Sequence, residues 1–205
     1  MSEAAPFVDT RQVRRNFARA AAGYDGSAVL QREVASRMLE RLDYVKIEPE
    51  RVLDVGCGTG GSLVALTERY RKAHVLGADA SAAMLLAGRG QRSRLRWLLP
   101  FVRGNTASLL AADVQALPLK NAALGLIWSN LMLHWLEDPL PAFREMHRAL
   151  DVGGLLMFST FGPDTLKELR SCFADGYEHT HRFIDMHDYG DMLVGCGFAD
   201  PVMDV

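Results

Sequence analysis

A glycine-rich turn that directly follows a short apolar segment constrains this chain more than any other feature. The apolar segment is 52–55 (VLDV), and the turn is 56–61 (GCGTGG). Glycine adopts positive φ without strain and leaves room for a ligand to approach the backbone. The pattern predicts a buried strand over residues 51–55, a tight turn, and a helix over residues 61–70. An ordinary strand-to-helix turn that needs glycine is the alternative interpretation.

The acid two residues before the first glycine narrows the choice of ligand. The turn has the G-x-G-x-x-G spacing of dinucleotide sites, but a carboxylate at Asp54 would repel a pyrophosphate. It favours a ligand with positive charge, and S-adenosylmethionine carries both an ammonium and a sulfonium. We therefore expect Asp54, Gly56, Cys57, Gly58 and Gly60 to form part of a site for this cofactor.

Predicted strands and helices alternate after residue 50, which is typical of an α/β fold with a mostly parallel sheet and helices on both faces. The predicted strands are 51–55, 74–79, 108–113, 124–129 and 155–160. The predicted helices are 61–70, 82–88, 139–150, 164–173 and 185–195. Two earlier helices, 10–21 and 28–42, predict an N-terminal lid (residues 1–45) before a cofactor-binding domain (residues 46–205). Such sheets usually finish with an antiparallel pair, so we expect the chain to be truncated at its C-terminus.

Two further acids end predicted strands, at the edge where open α/β sheets bind their ligands. Asp79 lies about twenty residues beyond the glycine turn, where an acid accepts hydrogen bonds from ribose hydroxyls, and we expect Ala80 beside it in the same site. Capping of the next helix is the alternative role for Asp79. The carboxylate of Asp113 and the backbone of Val114 are placed to meet an adenine ring.

Polar residues also follow the predicted fourth strand, where they would face the transferred methyl group. Asn130 and His134 are positioning candidates there, together with Tyr24 from the N-terminal lid. His134 is either a base or a structural histidine that is hydrogen bonded to the backbone. We expect Trp128 and Trp135 to be packing residues.

Composition excludes several classes of protein. A net charge of −2 over 205 residues argues against a nucleic-acid binder. The three cysteines have no C-x-x-C spacing, so neither a disulfide framework nor a metal site is indicated. No apolar run approaches the ~20 residues that span a bilayer, and the first ten residues lack the pattern of a signal peptide. We therefore expect a cytoplasmic, monomeric protein without a membrane partner.

Arginines are concentrated in two places. One group has helical spacing and is expected to share one face: Arg11, Arg14, Arg15 and Arg19. The second group crowds a segment between two predicted strands: Arg89, Arg92, Arg94, Arg96 and Arg103. Either group can dock an acidic partner, and a solvated basic face is the alternative.

Together these residues resemble the class I S-adenosylmethionine-dependent methyltransferases, and four segments narrow the resemblance to the biotin-synthesis methyltransferase family, BioC. The segments are 17–25 (FARAAAGYD), 30–33 (LQRE), 129–135 (SNLMLHW) and 181–185 (HRFID). The resemblance implies methyl transfer to the free carboxyl of a malonyl thioester, on acyl carrier protein or coenzyme A, during pimelate assembly. Recognition of that carboxylate calls for an arginine, and Arg182 is the candidate.

Two alternatives belong to other functional classes. Segments 133–135 and 161–170 (FGPDTLKELR) also resemble a mitochondrial complex I assembly factor that hydroxylates an arginine. The other alternative is an assembly protein that keeps the cofactor pocket without turnover. A malonyl carboxylate is ionised near neutral pH and needs no base, so the lack of a clear catalytic dyad is consistent with the methyltransferase interpretation.

Overall fold

The computed structural model describes residues 8–89, 107–173, 180 and 183–204. These residues form a five-stranded sheet in the order β3-β2-β1-β4-β5, and all neighbouring strands are parallel. The strands are β1 (Arg51–Val55), β2 (His74–Asp79), β3 (Ser108–Ala111), β4 (Leu124–Asn130) and β5 (Leu150–Ser159). The predicted α/β class is confirmed.

Helices precede the sheet and connect its strands. They are α1 (Thr10–Ala20), α2 (Tyr24–Ser27), α3 (Val29–Arg41), α4 (Leu63–Arg69), α5 (82–89), α6 (Leu140–Ala149), α7 (Lys167–Ser171) and α8 (Met186–Gly195). Short 3-10 helices cover Leu42–Tyr44 and Leu133–Trp135. Within the described ranges, no helix is both long enough and apolar enough to cross a membrane.

The sheet has an apolar core on each face, as a parallel sheet covered by helices requires. On one face, α6 and α8 bury Phe143, Met146 and Tyr189. On the other, α3 and α4 bury Met38 and Leu66 in one cluster with Val52 and Trp128. Each such side chain contributes roughly 1.5–3 kcal/mol through its burial. Trp128 is fully buried, which confirms its predicted packing role.

Two strand boundaries differ from the prediction by more than one residue. β3 ends at Ala111, so Asp113 lies in the turn after the strand, where its carboxylate accepts a hydrogen bond from the Gln115 amide. This local Asx-type turn competes with strand pairing and ends the strand early. β5 begins at Leu150, five residues before its predicted start, and an irregularity follows: Leu124 pairs with Leu150, but Leu126 pairs with Leu155.

The strand order determines where a ligand-binding crevice lies in the sheet. The order reverses between β1 and β4, because the chain goes outward through β2 and β3 and then returns to the other side of β1. In open α/β sheets, the carboxyl ends of the strands at such a reversal leave a crevice between the loops that leave in opposite directions. The glycine turn after β1 and the residues after β4 therefore meet at one point.

Candidate active site

A cavity lies in this crevice, at the carboxyl edge of the sheet. Its wall is formed by the loops after β1, β2, β3 and β4 and by the inner side of α1. The structure brings most of the sequence-predicted site residues together in this wall: Tyr24, Gly56, Gly58, Asp79, Ala80, Asp113, Val114, Asn130 and His134. Asp54, Cys57 and Gly60 do not line it, and Arg182 lies outside the described residues.

The glycine turn has a backbone that only glycine accommodates. Gly56, Gly58 and Gly60 have φ of 72°, 57° and 84°. A Cβ at Gly56 would lie 2.3 Å from Cγ of Met132, so any side chain there would collide. The amides of Gly56 and Cys57 both donate to the carbonyl of Ala78 on β2, at 2.8 and 3.0 Å. Cys57 therefore shapes the turn through its backbone.

The carboxylate of Asp79 joins the glycine turn to the start of α5. One oxygen accepts from the Gly58 amide at 2.8 Å, and the other accepts from the Ser81 amide at 2.7 Å. The capping interaction that the sequence left open is thus present. A carboxylate offers about four acceptor positions, so both oxygens can still accept from a ligand in the cavity. Burial raises the pKa of Asp79, and its two amide donors and Arg14 oppose that shift.

Asp54 lies beneath the turn and is almost fully buried, with 2% of its surface exposed. Burial, followed by the negative charge of Asp79, raises the pKa of Asp54 to about 8. Asp54 therefore does not line the cavity itself, and its place in the cofactor site stays a prediction. A cation bound above the turn would favour the ionised form of its carboxyl.

Asp113 and Arg14 form an ion pair across the mouth of the cavity. The guanidinium of Arg14, on α1, contacts one carboxylate oxygen of Asp113, and the Gln115 amide donates to the other at 3.0 Å. Both side chains keep part of their surface exposed, 46% for Arg14 and 38% for Asp113. Arg14 thus points toward the cavity, and the expectation that all four arginines of α1 share one face is wrong.

Asn130 joins the end of the sheet to the N-terminal helix α3. Its Oδ1 accepts from the hydroxyl of Ser159 on β5, and its Nδ2 donates to the carbonyl of Gln31 on α3, both at 2.8 Å. The Ser159 hydroxyl also accepts from the Leu131 amide at 3.1 Å. Both ends of the Asn130 amide are engaged, so its geometry suits holding α3 in place.

His134 and its aromatic neighbours form the other side of the cavity. The His134 ring is buried, and its centroid lies 4.7 Å from that of Phe161 and 5.1 Å from that of Trp135. Trp135 also meets Phe17 of α1 edge-on, with the ring centroids 5.2 Å apart. Trp135 lines the cavity, so the prediction of a pure packing role for it is incomplete.

Sequence reasoning missed most of the apolar wall. Four residues of α1 line the cavity, namely Thr10, Val13, Arg14 and Phe17, and so do Met84, Met132 and Phe161. The α1 residues recur at intervals of three and four, which is the signal of one helix face. That periodicity shows that α1 has an inner face, but it does not show what the face contacts.

Solved structures share this fold, and several of them are described as methyltransferases. A methyltransferase of Haloferax volcanii, solved with the Trm112 activator, aligns with a TM-score of 0.70 at 21% identity, over 90% of this chain and 75% of that one. A possible histamine N-methyltransferase of Thermotoga maritima aligns with a TM-score of 0.65 at 21% identity, over 90% of this chain and 80% of that one. At this level of identity the likeness shows the fold.

Proteins found by sequence comparison have a higher sequence identity to this chain than these solved structures have. The methyltransferase domain model matches residues 53–158. The malonyl-[acyl-carrier protein] O-methyltransferase of Gallionella capsiferriformans is 50% identical over 200 residues, which are 97% of this chain and 68% of that protein. The protein of the same name from Laribacter hongkongensis is 51% identical over 204 residues, 97% of this chain and 67% of that protein. The chain therefore belongs to the malonyl-[acyl-carrier protein] O-methyltransferase family, on the class I S-adenosylmethionine-dependent methyltransferase fold.

Proposed function

We propose that this chain transfers a methyl group from S-adenosylmethionine to the free carboxyl of a malonyl group carried on acyl carrier protein. The observation that carries the proposal is the joint placement of the glycine turn, Asp79 and Asp113 around one cavity, in a chain of this family. The relatives favour this reaction over the arginine hydroxylation and the non-catalytic assembly role, which the sequence had left open.

The residues of the cavity fit the cofactor. Gly58 and Met84 both line the cavity. A Cβ at Gly58 would lie 3.3 Å from Cε of Met84, so the missing side chain leaves space for a ligand next to the backbone. We assign the ribose hydroxyls to Asp79, with Ala80 beside it, and the adenine ring to Asp113 and the Val114 backbone. Asp54 would stabilise the positive charge from below the turn. The bound cofactor supplies a methyl group made electrophilic by its sulfonium.

The chain's own task in this reaction is alignment and exclusion of water. A malonyl carboxylate is already ionised near neutral pH and attacks the methyl carbon directly, so no side chain has to remove a proton. The remaining requirement is in-line placement in a dry site. We assign positioning roles to Tyr24, Asn130 and His134 on the cavity wall, and recognition of the carboxylate to Arg182.

In this proposal, helices α1 and α2 of the N-terminal lid close the cavity. Polar contacts of the lid reach the loops after β1 and β3 and the last residue of β4. The Thr59 hydroxyl donates to Asp25, Arg14 pairs with Asp113, and Asn130 donates to the Gln31 carbonyl. Each contact joins an N-terminal residue to a segment at the carboxyl edge of the sheet. Motion of α1 and α2 would therefore open or close the site to cofactor and water.

The proposal also covers the carrier of the malonyl group, the cellular location and the pathway. The carrier, as a protein or as coenzyme A, would bring the malonyl thioester to the open side of the cavity. We propose that the chain works as a cytoplasmic monomer, without nucleic-acid or membrane partners, and that the ester formed enters pimelate assembly for biotin.

Transfer of a labelled methyl group from S-adenosylmethionine to malonyl carrier protein tests the function. The protein used should include any sequence that follows Val205 in its gene. We expect a base-labile labelled ester on malonyl carrier protein and none on acetyl carrier protein, which has no free carboxyl. Absence of the ester, together with hydroxylation of a peptide arginine, would favour the assembly-factor alternative.

The carboxylate-recognition role of Arg182 has its own test. Arg182→Ala should raise KM for the malonyl substrate, and Arg182→Lys should fail to restore it. An ammonium cannot reproduce the planar, bidentate contact of a guanidinium with a carboxylate. Full rescue by lysine would remove this assignment and leave the reaction itself standing.

A further inference from the structure

α1 has two faces with different chemistry. Its inner residues line the cavity, and its outer side carries Arg11, Arg15 and Arg19, all exposed. At about 100° per residue, arginines at positions i, i+4 and i+8 fall within a stripe ~80° wide. That stripe lies on the side of the helix away from Val13 and Phe17. We call these three residues the outer arginine stripe.

The outer arginine stripe makes no ion pair within the described residues, although the carboxylate of Asp9 caps α1 and accepts from the Arg11 amide. α1 contains no acidic residue, and among the described residues no carboxylate lies within ion-pair distance of Arg11, Arg15 or Arg19. The arginines of α3 differ, because Arg37 pairs with Glu33 and Arg41 pairs with Asp204. In a chain of net charge −2, the stripe is therefore a local positive surface that suits an acidic partner.

α1 is held by contacts at its surface and by the residue pair before it, where the buried Val8 donates its amide to Glu137 and Asp9 caps the helix. It has 11 residues, and none of them is buried. An isolated helix of this length is marginal in water, so its contacts decide whether it stays in place. On its inner face these are the Arg14–Asp113 pair and the edge-on contacts of Phe17 with Trp135 and Tyr24. A partner that binds the outer face would order the helix and favour the same inner contacts.

We propose that the outer arginine stripe docks the acidic surface of the acyl carrier protein, and that docking stabilises α1 over the cofactor cavity. This inference rests on the proposed function, which supplies the carrier as partner. A carrier on α1 would lie beside the cavity that its malonyl group must enter. Since one helix serves both sites, carrier and cofactor bind with positive coupling, and each raises the affinity for the other by the same factor.

Charge reversal of the stripe tests the docking surface. The variant is Arg11→Glu/Arg15→Glu/Arg19→Glu, and Arg14 is kept. A matched control is Lys46→Glu/Arg71→Glu/Lys72→Glu, which makes the same charge change at exposed positions before β1 and β2, at the opposite edge of the sheet. Steady-state kinetics are measured with malonyl carrier protein and with malonyl-N-acetylcysteamine, a small thioester without carrier or phosphate.

We expect the stripe variant to raise KM for malonyl carrier protein at least ~10-fold and to change KM for the small thioester less than ~2-fold. The control variant should leave both values near those of the unmodified protein. Equal KM values for malonyl carrier protein in the variant and the unmodified chain would overturn the docking surface. Ester formation from neither substrate by the unmodified chain would instead contradict the proposed function.

The coupling is measured without turnover. Calorimetry gives the Kd of S-adenosylhomocysteine alone and in saturating carrier protein that bears no malonyl group. We expect the carrier to lower this Kd by ~5-fold or more in the unmodified chain and in the control variant, and to have no effect in the stripe variant. A Kd that the carrier does not change in the unmodified chain would overturn the coupling.

Discussion

The guanidinium of Arg14 pairs with the carboxylate of Asp113, 99 residues further along the chain. The pair joins α1 to the loop after β3, at the mouth of the cavity. Both side chains are partly exposed, and exposed ion pairs contribute only ~0–1 kcal/mol to stability. The consequence of this pair is therefore positional: it fixes α1 beside the residue that we assign to the adenine ring.

Loss of the Asp113 carboxylate should affect the ligand more than the fold. We expect Asp113→Ala to weaken binding of S-adenosylhomocysteine by ~1–3 kcal/mol, because a hydrogen bond to a charged acceptor is lost. The free energy of unfolding should change by no more than ~1 kcal/mol. Calorimetry and urea unfolding measure the two quantities. Glu33→Ala is the control, since it breaks an exposed pair on α3 and should leave binding unchanged.

Asp54 should make the protein less stable as the pH rises from 4 to 8. Burial raises its pKa to about 8 from an ordinary 3.8, so the folded chain keeps a proton that the unfolded chain releases in this range. Because the unfolded state binds fewer protons, the free energy of unfolding falls with increasing pH and levels off above pH 8. Asp54→Asn should flatten this dependence.

Urea unfolding of both proteins at several pH values between 5 and 9 measures the difference. Asp79 also has a raised pKa and contributes to both curves, so only the difference between the curves reports Asp54. Parallel curves would mean that Asp54 does not hold its proton in the folded chain.

Gly88 should tolerate no side chain, because α5 packs directly on the glycine turn at this position. A Cβ there would lie 1.8 Å from the backbone carbonyl oxygen of Thr59. We expect Gly88→Ala to destabilise the fold by ~1–3 kcal/mol or more, since backbone must shift. Gly61→Ala is the control: its Cβ would meet nothing within 4 Å, although Gly61 belongs to the same turn. Equal melting temperatures for the two variants would contradict this packing.

Asn130 should hold the N-terminal lid through its amide donor. Asn130→Asp keeps an acceptor for the Ser159 hydroxyl but turns the donor to the Gln31 carbonyl into a second acceptor. We expect faster hydrogen exchange over residues 10–41 and faster release of S-adenosylhomocysteine. Asn121→Ala, which removes an exposed contact with Arg148 far from this amide, should change neither. Unchanged exchange in Asn130→Asp would show that other contacts hold the lid.

The sequence by itself determined the succession of strands and helices along the chain and the position of the turn. Apolar runs such as Val52 and Leu53 are stabilised by burial, and the glycines after them can adopt the positive φ that a tight turn needs. These are local properties of the chain, so strand β1, the turn and Asp79 at the end of β2 were predictable. The four short segments that carried the family resemblance could also be recognised without knowledge of the fold.

Tertiary structure decided which side chains meet in the cavity. Both faces of β1 are buried, so alternation along the strand cannot tell that Asp54 lies beneath the turn and outside the cavity. Helical spacing grouped Arg14 with Arg15, and only the contact with Asp113 turns Arg14 inward. Asn130 lines the cavity, as its place after the predicted fourth strand suggested, but its hydrogen bonds to Gln31 and Ser159 could not be read from the sequence. Each outcome depends on partners distant in sequence, whose positions follow from packing and not from local propensity.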